Sequence, residues 1–313
     1  MGYHPICEEG EHMTELPADV LVTGATGRQG GAVATALLDA GRPVRVLVRD
    51  AGSARARALA TKGALLVHGD LNEPDSLHAA MSGIGAVLSV QTPDITDLLG
   101  DSEDRHNRAL VEAARAAGVR QLVHTSVSGA GMPGRGDIDP QHWGEHMRHY
   151  WRSKISGERR VREAGFEHWT ILRPAIFMEN FVRPSFYFAE GVSNRLLFAV
   201  DLDVPLAFVT VRDIGTAAAA AFADPARFHA VELDLAGDLL TFRDAAQTLS
   251  EVTGTQIELP ASPEAAIEAG LATEFARSQQ FTSAHPAPAR ASTAHQFGLP
   301  TTSFTDWARE TLG

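Results

Sequence analysis

The sequence predicts an α/β protein: a Rossmann-type, doubly wound parallel sheet with a smaller C-terminal α+β substrate lobe. The first observation is that short apolar runs alternate with helical segments through the first half of the chain, which is typical of strands buried on both faces of a parallel sheet. The second is a glycine-rich turn between the first run and the first helical segment. The third is that the alternation of strands and helices ends after about residue 175, where aromatic and irregular segments follow.

Six apolar runs supply the predicted strands. They are VLVTG (20–24), VRVLVR (44–49), ALLVHGD (64–70), AVLSV (86–90), QLVHTS (121–126) and HWTILRP (168–174). Segments rich in Ala, Leu and Arg lie between them, such as residues 106–118, whose apolar spacing is helical and whose Gly118 provides a stop. Strands that alternate with helices in this way predict helices on both faces of the sheet.

We divide the chain into three parts. Residues 1–17 are interpreted as a flexible acidic tail, 18–175 as an NAD(P)-binding Rossmann domain with returning segments near 205–237, and 176–313 as mainly a C-terminal substrate-binding lobe. In the third part, a strand-like piece at 205–211 precedes a small-residue helix that could start at Asp213. Residues 283–292 resemble a surface loop, and SFTD at 303–306 has the form of a capping box that opens a last short helix.

Composition and charge argue against several classes of function. The 313 residues carry a formal net charge of −12 without a basic run, so direct binding of nucleic acid is not expected. No uncharged apolar run approaches the roughly 18 residues of a membrane span, and the N-terminus lacks the features of a secretion signal. The single cysteine, Cys7, permits no internal disulfide. These observations predict a cytoplasmic protein.

The segment VLVTGATGRQGG carries the most specific motif. Gly24, Gly27 and Gly30 follow a predicted strand and open a predicted helix, with the spacing G-x-x-G-x-x-G. The first glycine permits a tight turn, the second a close approach to a pyrophosphate, and the third close packing of helix on strand. A purely structural turn is the alternative. The strand, the helix and a second strand about 20 residues later all agree with nucleotide binding.

The end of the second strand distinguishes between cofactors. An acid there would bind the ribose 2′-hydroxyl of NADH, whereas an arginine would bind the 2′-phosphate of NADPH. The sequence has Arg49 followed by Asp50, and Arg28 within the glycine loop is a second cation that could reach the same phosphate. Both arginines could instead be solvated surface residues, and NADH remains an alternative because Asp50 could bind the ribose 2′-hydroxyl. We favour NADPH.

Five segments in the same order resemble the NmrA-like family of atypical short-chain dehydrogenases/reductases. They are VTGATGRQGG, VRVLVRD, HGDL, SKISGERRVREAGFEHWTILRPAIFMENF and VTVRDIGTAAAAAF, and the resemblance extends over about residues 18–300. The resemblance implies a Rossmann-type domain that binds NADP(H). The family includes NADPH-dependent quinone, isoflavone and dye reductases, and also redox sensors and transcriptional co-regulators with little catalysis.

The resemblance also implies roles for individual residues. The pyrophosphate loop would comprise Gly24, Thr26, Gly27, Gln29 and Gly30, with Arg49 at the adenosine phosphate, Asp70 and Leu71 at the adenine, Gln91, Thr92 and Pro93 beside the nicotinamide ribose, and Pro174, Ala175, Ile176 and Phe177 in a loop that closes over the nicotinamide. Lys154 matches the lysine of the family.

Tyr150 lies four residues before Lys154 and restores the Tyr-x-x-x-Lys pattern of ordinary short-chain reductases. Residues four apart share one face of a helix, so the ammonium could lower the phenol pKa from about 10. The phenol could then protonate a carbonyl or quinone oxygen as a general acid. An amphipathic ring at the rim of a cleft is the alternative. Ser126, after the fifth strand, is the predicted third catalytic residue, with Ser128 as the other candidate.

An aromatic wall is predicted next to the nicotinamide, where it suits a flat substrate. The predicted substrate residues are Trp143, His149, Phe177, Asn180, Phe181 and Phe186. About half of the aromatic rings could instead pack within the C-terminal lobe. The spacing of His142, His146 and His149 could hold a metal on one helix face, but no carboxylate or cysteine motif accompanies them, and no metal is predicted.

The favoured function is an NADPH-dependent reductase of a quinone, ketone or conjugated aromatic acceptor. Tyr150 and Lys154 would form its proton-donating pair, and a small aromatic or carbonyl compound would be its substrate. The alternative is a non-enzymatic NADP(H)-sensing regulator that acts through a protein partner. A homodimer is also possible.

Overall fold

The computed structural model describes residues 19–313, so the predicted tail at 1–17 lies outside the described residues. The strands are β1 (Val20–Val22), β2 (Val44–Val48), β3 (Leu65–His68), β4 (Ala86–Val90), β5 (Gln121–Thr125), β6 (His168–Pro174), β7 (Ile176–Phe177), β8 (Leu206–Val209), β9 (Val231–Leu235) and β10 (Asp238–Leu240). The helices are α1 (Arg28–Asp39), α2 (Ala54–Thr61), α3 (Pro74–Ala80), α4 (Ser102–Ala116), α5 (Pro140–Trp143), α6 (Glu145–Glu163), α7 (Val211–Ala223), α8 (Phe242–Thr253), α9 (Pro263–Glu268), α10 (Thr273–Ala284), α11 (Ala291–His295) and α12 (Phe304–Leu312).

The main sheet of the described chain has seven strands in the order β3-β2-β1-β4-β5-β6-β9, and every neighbouring pair is parallel. All six predicted strands belong to it. Alternate residues of one strand face opposite layers. Val20 and Val22 join an apolar cluster with α1 and α7, whereas Leu21 joins a cluster with α3, α4 and α6. The sheet is therefore covered on both faces, and the predicted Rossmann-type architecture is confirmed.

A smaller three-stranded sheet follows, in the order β10-β8-β7. Its apolar cluster contains many aromatic rings, including those of Phe181, Phe198, Phe208, Phe242 and Phe304. Helices α8 and α12 contribute to this cluster. The segment 205–237, predicted to return to the main domain, is divided: β8 pairs within the small sheet, whereas α7 and β9 join the large one. The predicted domain limits themselves remain a prediction.

Two details of the C-terminal part differ from the sequence prediction. Helix α7 begins at Val211 rather than Asp213, because Thr210 is the N-cap and its Oγ1 accepts a hydrogen bond from Asp213 N at 3.0 Å. The loop predicted at 283–292 is shorter, since its first two residues end α10 and its last two begin α11. At the last helix, Ser303 Oγ accepts from Asp306 N at 3.1 Å, as its predicted role as a cap requires.

The strand order reverses between β1 and β4, and this places the candidate site. The chain moves outward from β1 to β3 and then crosses back to β4 on the other side of β1. Ligands of such sheets bind outside the carboxyl ends of the strands at this switch point. Thr23 Oγ1 joins the two strand ends there, since it donates to Leu88 O and accepts from Val90 N, each at 2.9 Å.

Candidate active site

The glycine loop between β1 and α1 forms the cradle for a dinucleotide. Gly24 has φ +63°, which favours glycine, and a Cβ at Gly30 would lie 2.5 Å from the carbonyl of Gly24. Among the described residues, no side chain caps α1 at its N-cap, Gly27. The first N–H groups of α1 therefore remain available to an anion, and the helix dipole favours one there. The local geometry fits the pyrophosphate of NAD(P).

Arginine side chains surround this loop. Arg28 is exposed, and its Nη1 donates to Asn180 Oδ1 at 3.1 Å. Arg49 is also exposed at the end of β2. Arg55, which the sequence analysis missed, donates from Nη1 to Thr26 O at 3.0 Å. A cationic rim on this side of the cradle matches a nucleotide that carries a phosphate on its adenosine ribose.

The carboxylates beside this rim are partly engaged in their own turns. Asp50 Oδ1 accepts from Gly52 N at 2.8 Å. Asp70, in the predicted adenine turn, accepts from Asn72 N at 2.9 Å. That hydrogen bond, together with the nearby charge of Arg49, lowers the pKa of Asp70. Asp70 therefore stays ionised beside the cationic rim, and its neighbour Leu71 packs against the cluster formed with α3 and α4.

The segment after β4 begins with a buried amide and then becomes exposed. Gln91 is buried, and its Oε1 accepts from Ser89 Oγ at 3.1 Å and from Asn107 Nδ2 at 3.2 Å. Thr92 and Pro93 are exposed beyond it. Of the three residues predicted to lie beside the nicotinamide ribose, Gln91 is therefore buried at the start of this segment, whereas Thr92 and Pro93 are exposed and Pro93 lines the cavity described next.

A largely apolar cavity of about 410 Å³ opens at the carboxyl ends of β4, β5 and β6. Its walls come from the segment after β4, from α6, from the turn at Pro174, Ala175 and Ile176, and from α10. This volume lies within the usual range for a small-molecule site. Polar groups in the wall include Tyr150, His149, Ser128 and Tyr187.

Tyr150 and Lys154 lie on the same side of α6, but their arrangement differs from the expected one. Lys154 Nζ is 5.5 Å from the centroid of the Tyr150 ring. The ammonium is buried and donates to the carboxylate of Glu103 in α4, an ion pair that the sequence analysis missed. Burial raises the pKa of Tyr150; Lys154 opposes this effect and Glu103 adds to it. The expected lowering of the Tyr150 pKa is therefore wrong, and the phenol is protonated at neutral pH.

Ser126 lies below the cavity rather than in its wall. It is buried, and its Oγ has no hydrogen-bond partner among residues 19–313. Ser128 lines the cavity instead, and its Oγ donates to Asp234 Oδ1 at 2.6 Å. The structure therefore places Ser128, the other candidate, in the cavity wall, and the catalytic role of Ser126 stays a prediction.

A buried ion network supports the strand ends beneath the cavity. Arg173, in β6, donates to both carboxylate oxygens of Glu158, at 2.9 and 2.6 Å, and to Glu232 at 2.5 Å. Its Nη1 lies 3.8 Å from Asp234, the residue that also holds Ser128. The charges of these carboxylates raise the pKa of Arg173 although burial opposes it. The network therefore connects α6, β6 and β9 beneath the cavity.

The predicted aromatic wall is only partly correct. Phe186 lines the cavity and is 62% exposed. Phe181 is 1% exposed within the aromatic cluster of the small sheet, so its predicted contact with substrate is wrong. Phe177 packs against the cluster on the α1 side of the main sheet. Trp143 stands behind the wall, with its ring edge-on to Phe281 at 5.3 Å.

Asn180 connects the two halves of the site. Its Oδ1 accepts from Arg28, as described above, and its Nδ2 donates to Tyr187 Oη at 3.2 Å. Burial raises the pKa of Tyr187 to about 12, although the hydrogen bond with Asn180 opposes this. Asn180 therefore binds a residue of the cavity wall rather than lining the cavity itself, and Tyr187 is a second phenol that the sequence analysis missed.

The three histidines do not converge on one point. His149 lines the cavity, and its Nε2 is 2.9 Å from Gly100 O. His146 Nε2 contacts Glu274 O at 3.0 Å and Ser278 Oγ at 3.1 Å. His142 belongs to α5, which Gly144 separates from α6. Their different partners give no common face toward a metal.

Within residues 19–313, none of the helices has both the length and the apolar character needed to cross a membrane.

Comparisons with known proteins agree with this geometry. The chain is 29% identical over 240 residues to an NAD(P)H azoreductase of Xenophilus azovorans, which covers 76% of this chain and 75% of that protein. It is 31% identical over 236 residues to the (4-alkanoyl-5-oxo-2,5-dihydrofuran-3-yl)methyl phosphate reductase of Streptomyces griseus, covering 75% and 74%. The structure resembles that of Citrobacter sp. triphenylmethane reductase complexed with NADP(H), with a TM-score of 0.74 and 25% identity over 94% and 100% of the two chains.

The fold, the glycine loop and the similarity to these reductases define an NAD(P)H-dependent oxidoreductase. The model of the NmrA-like family matches residues 18–297, and the chain belongs to that family. The resemblance inferred from the sequence motifs is thereby confirmed.

Proposed function

We propose that the protein is an NADPH-dependent reductase that acts on a quinone, a ketone or another conjugated aromatic acceptor. The observation that carries the proposal is the apolar cavity of about 410 Å³ with Tyr150 in its wall. Such a cavity accommodates one flat ring system. The similarity to an azoreductase and to a triphenylmethane reductase supports an acceptor of this kind.

NADPH rather than NADH is the proposed cofactor because cations outnumber free acids at the end of β2. Arg49 is exposed there, Arg28 is exposed at the start of α1, and one oxygen of Asp50 is already occupied by Gly52 N. A guanidinium can make charge-assisted hydrogen bonds to a 2′-phosphate. The nucleotide in the similar structure of triphenylmethane reductase is NADP(H).

The chemistry divides between the cofactor and the chain. When bound, NADPH supplies the hydride. Tyr150 holds a proton at its Oη, because burial and Glu103 keep the phenol neutral, and it faces the cavity where an acceptor oxygen or nitrogen would lie. Lys154 orients the ring from 5.5 Å away, with its own charge balanced by Glu103. The chain thus donates a proton from a fixed position and excludes water through its apolar walls.

Steady-state oxidation of NADPH tests the proposal directly. The acceptors would be menadione, an aromatic ketone and a neutral azo dye. Tyr150→Phe keeps the ring and removes the acidic proton, so ketone turnover should fall by about 10²–10⁴-fold. Quinone turnover should fall less, because the reduced quinone anion is already stable.

Tyr187→Phe is the matched control, since it removes a phenol from the same cavity. Its hydroxyl is engaged with Asn180, so ketone turnover should stay near that of the wild type. NADPH affinity should be preserved in both variants. An unchanged turnover rate of Tyr150→Phe with every acceptor would exclude Tyr150 as the proton donor. A large loss of turnover in Tyr187→Phe alone would instead identify Tyr187 as the proton donor.

The alternative function is an NADP(H)-sensing regulator. One observation favours it: Glu103 neutralises Lys154 and raises the pKa of Tyr150, which weakens the pair as an acid. Tight NADPH binding without turnover of any acceptor would support the regulator and contradict the reductase. The cytoplasmic location and the homodimer remain predictions.

A further inference from the structure

Arg135 is a buried cation in the wall of the cavity that the proposed mechanism does not use. It lies in the segment between β5 and α5 and is 4% exposed. Its guanidinium carbon is 4.8 Å from the centroid of the Trp151 ring and 5.0 Å from that of Phe281. Both rings line the same cavity. The cation is therefore held between two aromatic faces at the substrate site.

The hydrogen bonds of Arg135 are incomplete. Its Nη2 donates to His285 O at 2.9 Å and also contacts Met132 Sδ at 3.2 Å. Its Nε and Nη1 are buried, and neither has a hydrogen-bond acceptor among residues 19–313. Buried donors without a partner are uncommon because each loses its hydration without compensation. Two such donors on one cavity residue indicate an acceptor that is not part of the described chain.

The charge of Arg135 is also unbalanced. In the part of the chain that the structure describes, no carboxylate forms an ion pair with it, and burial lowers its pKa without an opposing acid. Arg173, the other buried arginine beneath the site, contacts three carboxylates. Arginine is rarely buried without such a partner. Arg173 is therefore a structural cation, whereas the counter-ion of Arg135 must come from a ligand.

We propose that Arg135 is a binding residue for an anionic substituent of the acceptor, a carboxylate or a sulfonate on an aromatic ring. The inference rests on the proposed function, since it specifies the substrate class of the same cavity. The rings of Trp151 and Phe281 hold the guanidinium in place, the exposed ring of Phe186 in the same cavity wall packs against the aromatic part, and Nε and Nη1 donate to the anion. The guanidinium is already desolvated and held in place by the fold, so ordering it costs the complex little.

The net charge of −12 makes the proposal easy to distinguish from general electrostatics. A protein of this charge repels anions at long range. A preference for an acidic ligand over its neutral analogue would therefore need a local cation. Arg135 provides one inside the cavity.

The test compares 4-(phenylazo)benzoate with its methyl ester, which share the same azobenzene core. Binding is measured by equilibrium dialysis with NADP⁺ present, so no turnover is required. The wild type should bind the acid about 10–100-fold more tightly than the ester, as expected for hydrogen bonds to a charged group. Equal affinities, stronger binding of the ester or no binding of either compound would overturn the inference. This comparison needs no variant.

Variants then assign the effect to one residue. Arg135→Gln should lower the affinity for the acid by about 10–100-fold and leave that for the ester unchanged, whereas Arg135→Lys should retain part of the preference. Arg159→Gln, which removes an exposed arginine of α6, is the matched control and should change neither. Equal loss for acid and ester in Arg135→Gln would indicate packing alone and would overturn the assignment.

The two proposals fail separately. Turnover of neutral quinones without a preference for the acid would leave the reductase intact and contradict only the anion site. Tight binding of the acid without turnover of any acceptor would support the anion site and contradict the reductase.

Discussion

Removal of Arg173 from its buried network should destabilise the protein strongly. In Arg173→Met, Glu158 loses two charge-assisted hydrogen bonds, of 2.9 and 2.6 Å, while its side chain remains 1% exposed. Breaking a buried ion pair by removing one partner costs about 3–5 kcal/mol. Arg162 still contacts Glu158 at 2.7 Å, so we expect the lower end, about 3 kcal/mol. At about 2 °C per kcal/mol for a chain of this size, the melting temperature should fall by about 6 °C.

The effect should depend on pH in a defined direction. Burial alone raises the pKa of Glu158, but its hydrogen bonds and the charges of Arg173 and Arg162 outweigh this effect and lower the pKa. A carboxylate whose pKa is lowered in the folded state stabilises the fold at pH values above the ordinary pKa of the group, near 4.5. This stabilisation is lost as the pH falls through the lowered pKa. The difference between wild type and Arg173→Met should therefore be full at pH 7 and should narrow toward pH 4.

Calorimetric melts between pH 4 and pH 8 provide the measurement. The matched control is Arg243→Met, because Arg243 also binds one carboxylate through two nitrogens, at 2.8 and 3.2 Å from Asp203. That pair is exposed, so its loss should have a much smaller effect. A melting temperature of Arg173→Met within about 1 °C of the wild type at pH 7 would refute the reasoning, and so would a difference that grows toward acid pH.

Three further changes test other parts of the site. Arg49→Ala should weaken NADPH about tenfold or more and leave NADH unchanged, because a charged hydrogen bond contributes roughly 1.5–3 kcal/mol; titration of both cofactors measures this, and equal wild-type affinities would contradict it. Glu103→Gln should shift the alkaline loss of ketone turnover to lower pH, since the carboxylate raises the pKa of the acid Tyr150; an unshifted pH–rate profile would count against the pair. Phe181→Ala should lower the free energy of unfolding in urea by about 3–5 kcal/mol with little change in the Michaelis constant, because the ring is buried away from the cavity. A raised Michaelis constant with unchanged stability would show instead that Phe181 contacts the substrate.

The main sheet could be predicted because its information is local. Each of its first six strands is a short apolar run, and the glycine loop joins a strand to a helix within the same segment. The cofactor cradle was predicted from the glycine motif and the residues after β4 from the family resemblance, and the structure shows that the strand order reverses between these two strands. Nearly all that was predicted well depends on residues close together in the sequence.

The errors arose where distant residues meet. Glu103 is 51 residues before Lys154, and no spacing rule connects an acid in α4 with a lysine in α6. Phe181 ends a short 3₁₀ helix at Met178–Phe181, and its ring packs into the aromatic cluster of the small sheet. Composition alone cannot tell such a ring from the exposed Phe186 five residues later. Arg135 was missed for the same reason, since its aromatic partners follow in α6 and α10.

The bond between Arg28 and Asn180 gives one guanidinium two competing partners. In the described structure it holds Asn180, which in turn holds Tyr187 in the cavity wall. A phosphate that draws Arg28 away removes one donor from Asn180 and loosens that wall. By thermodynamic reciprocity, an acceptor that changes the position of Tyr187 must then alter the affinity for the nucleotide by the same factor. Occupancy of the nucleotide cradle and affinity for the acceptor are therefore coupled through Asn180, a side chain that contacts residues of both parts of the site.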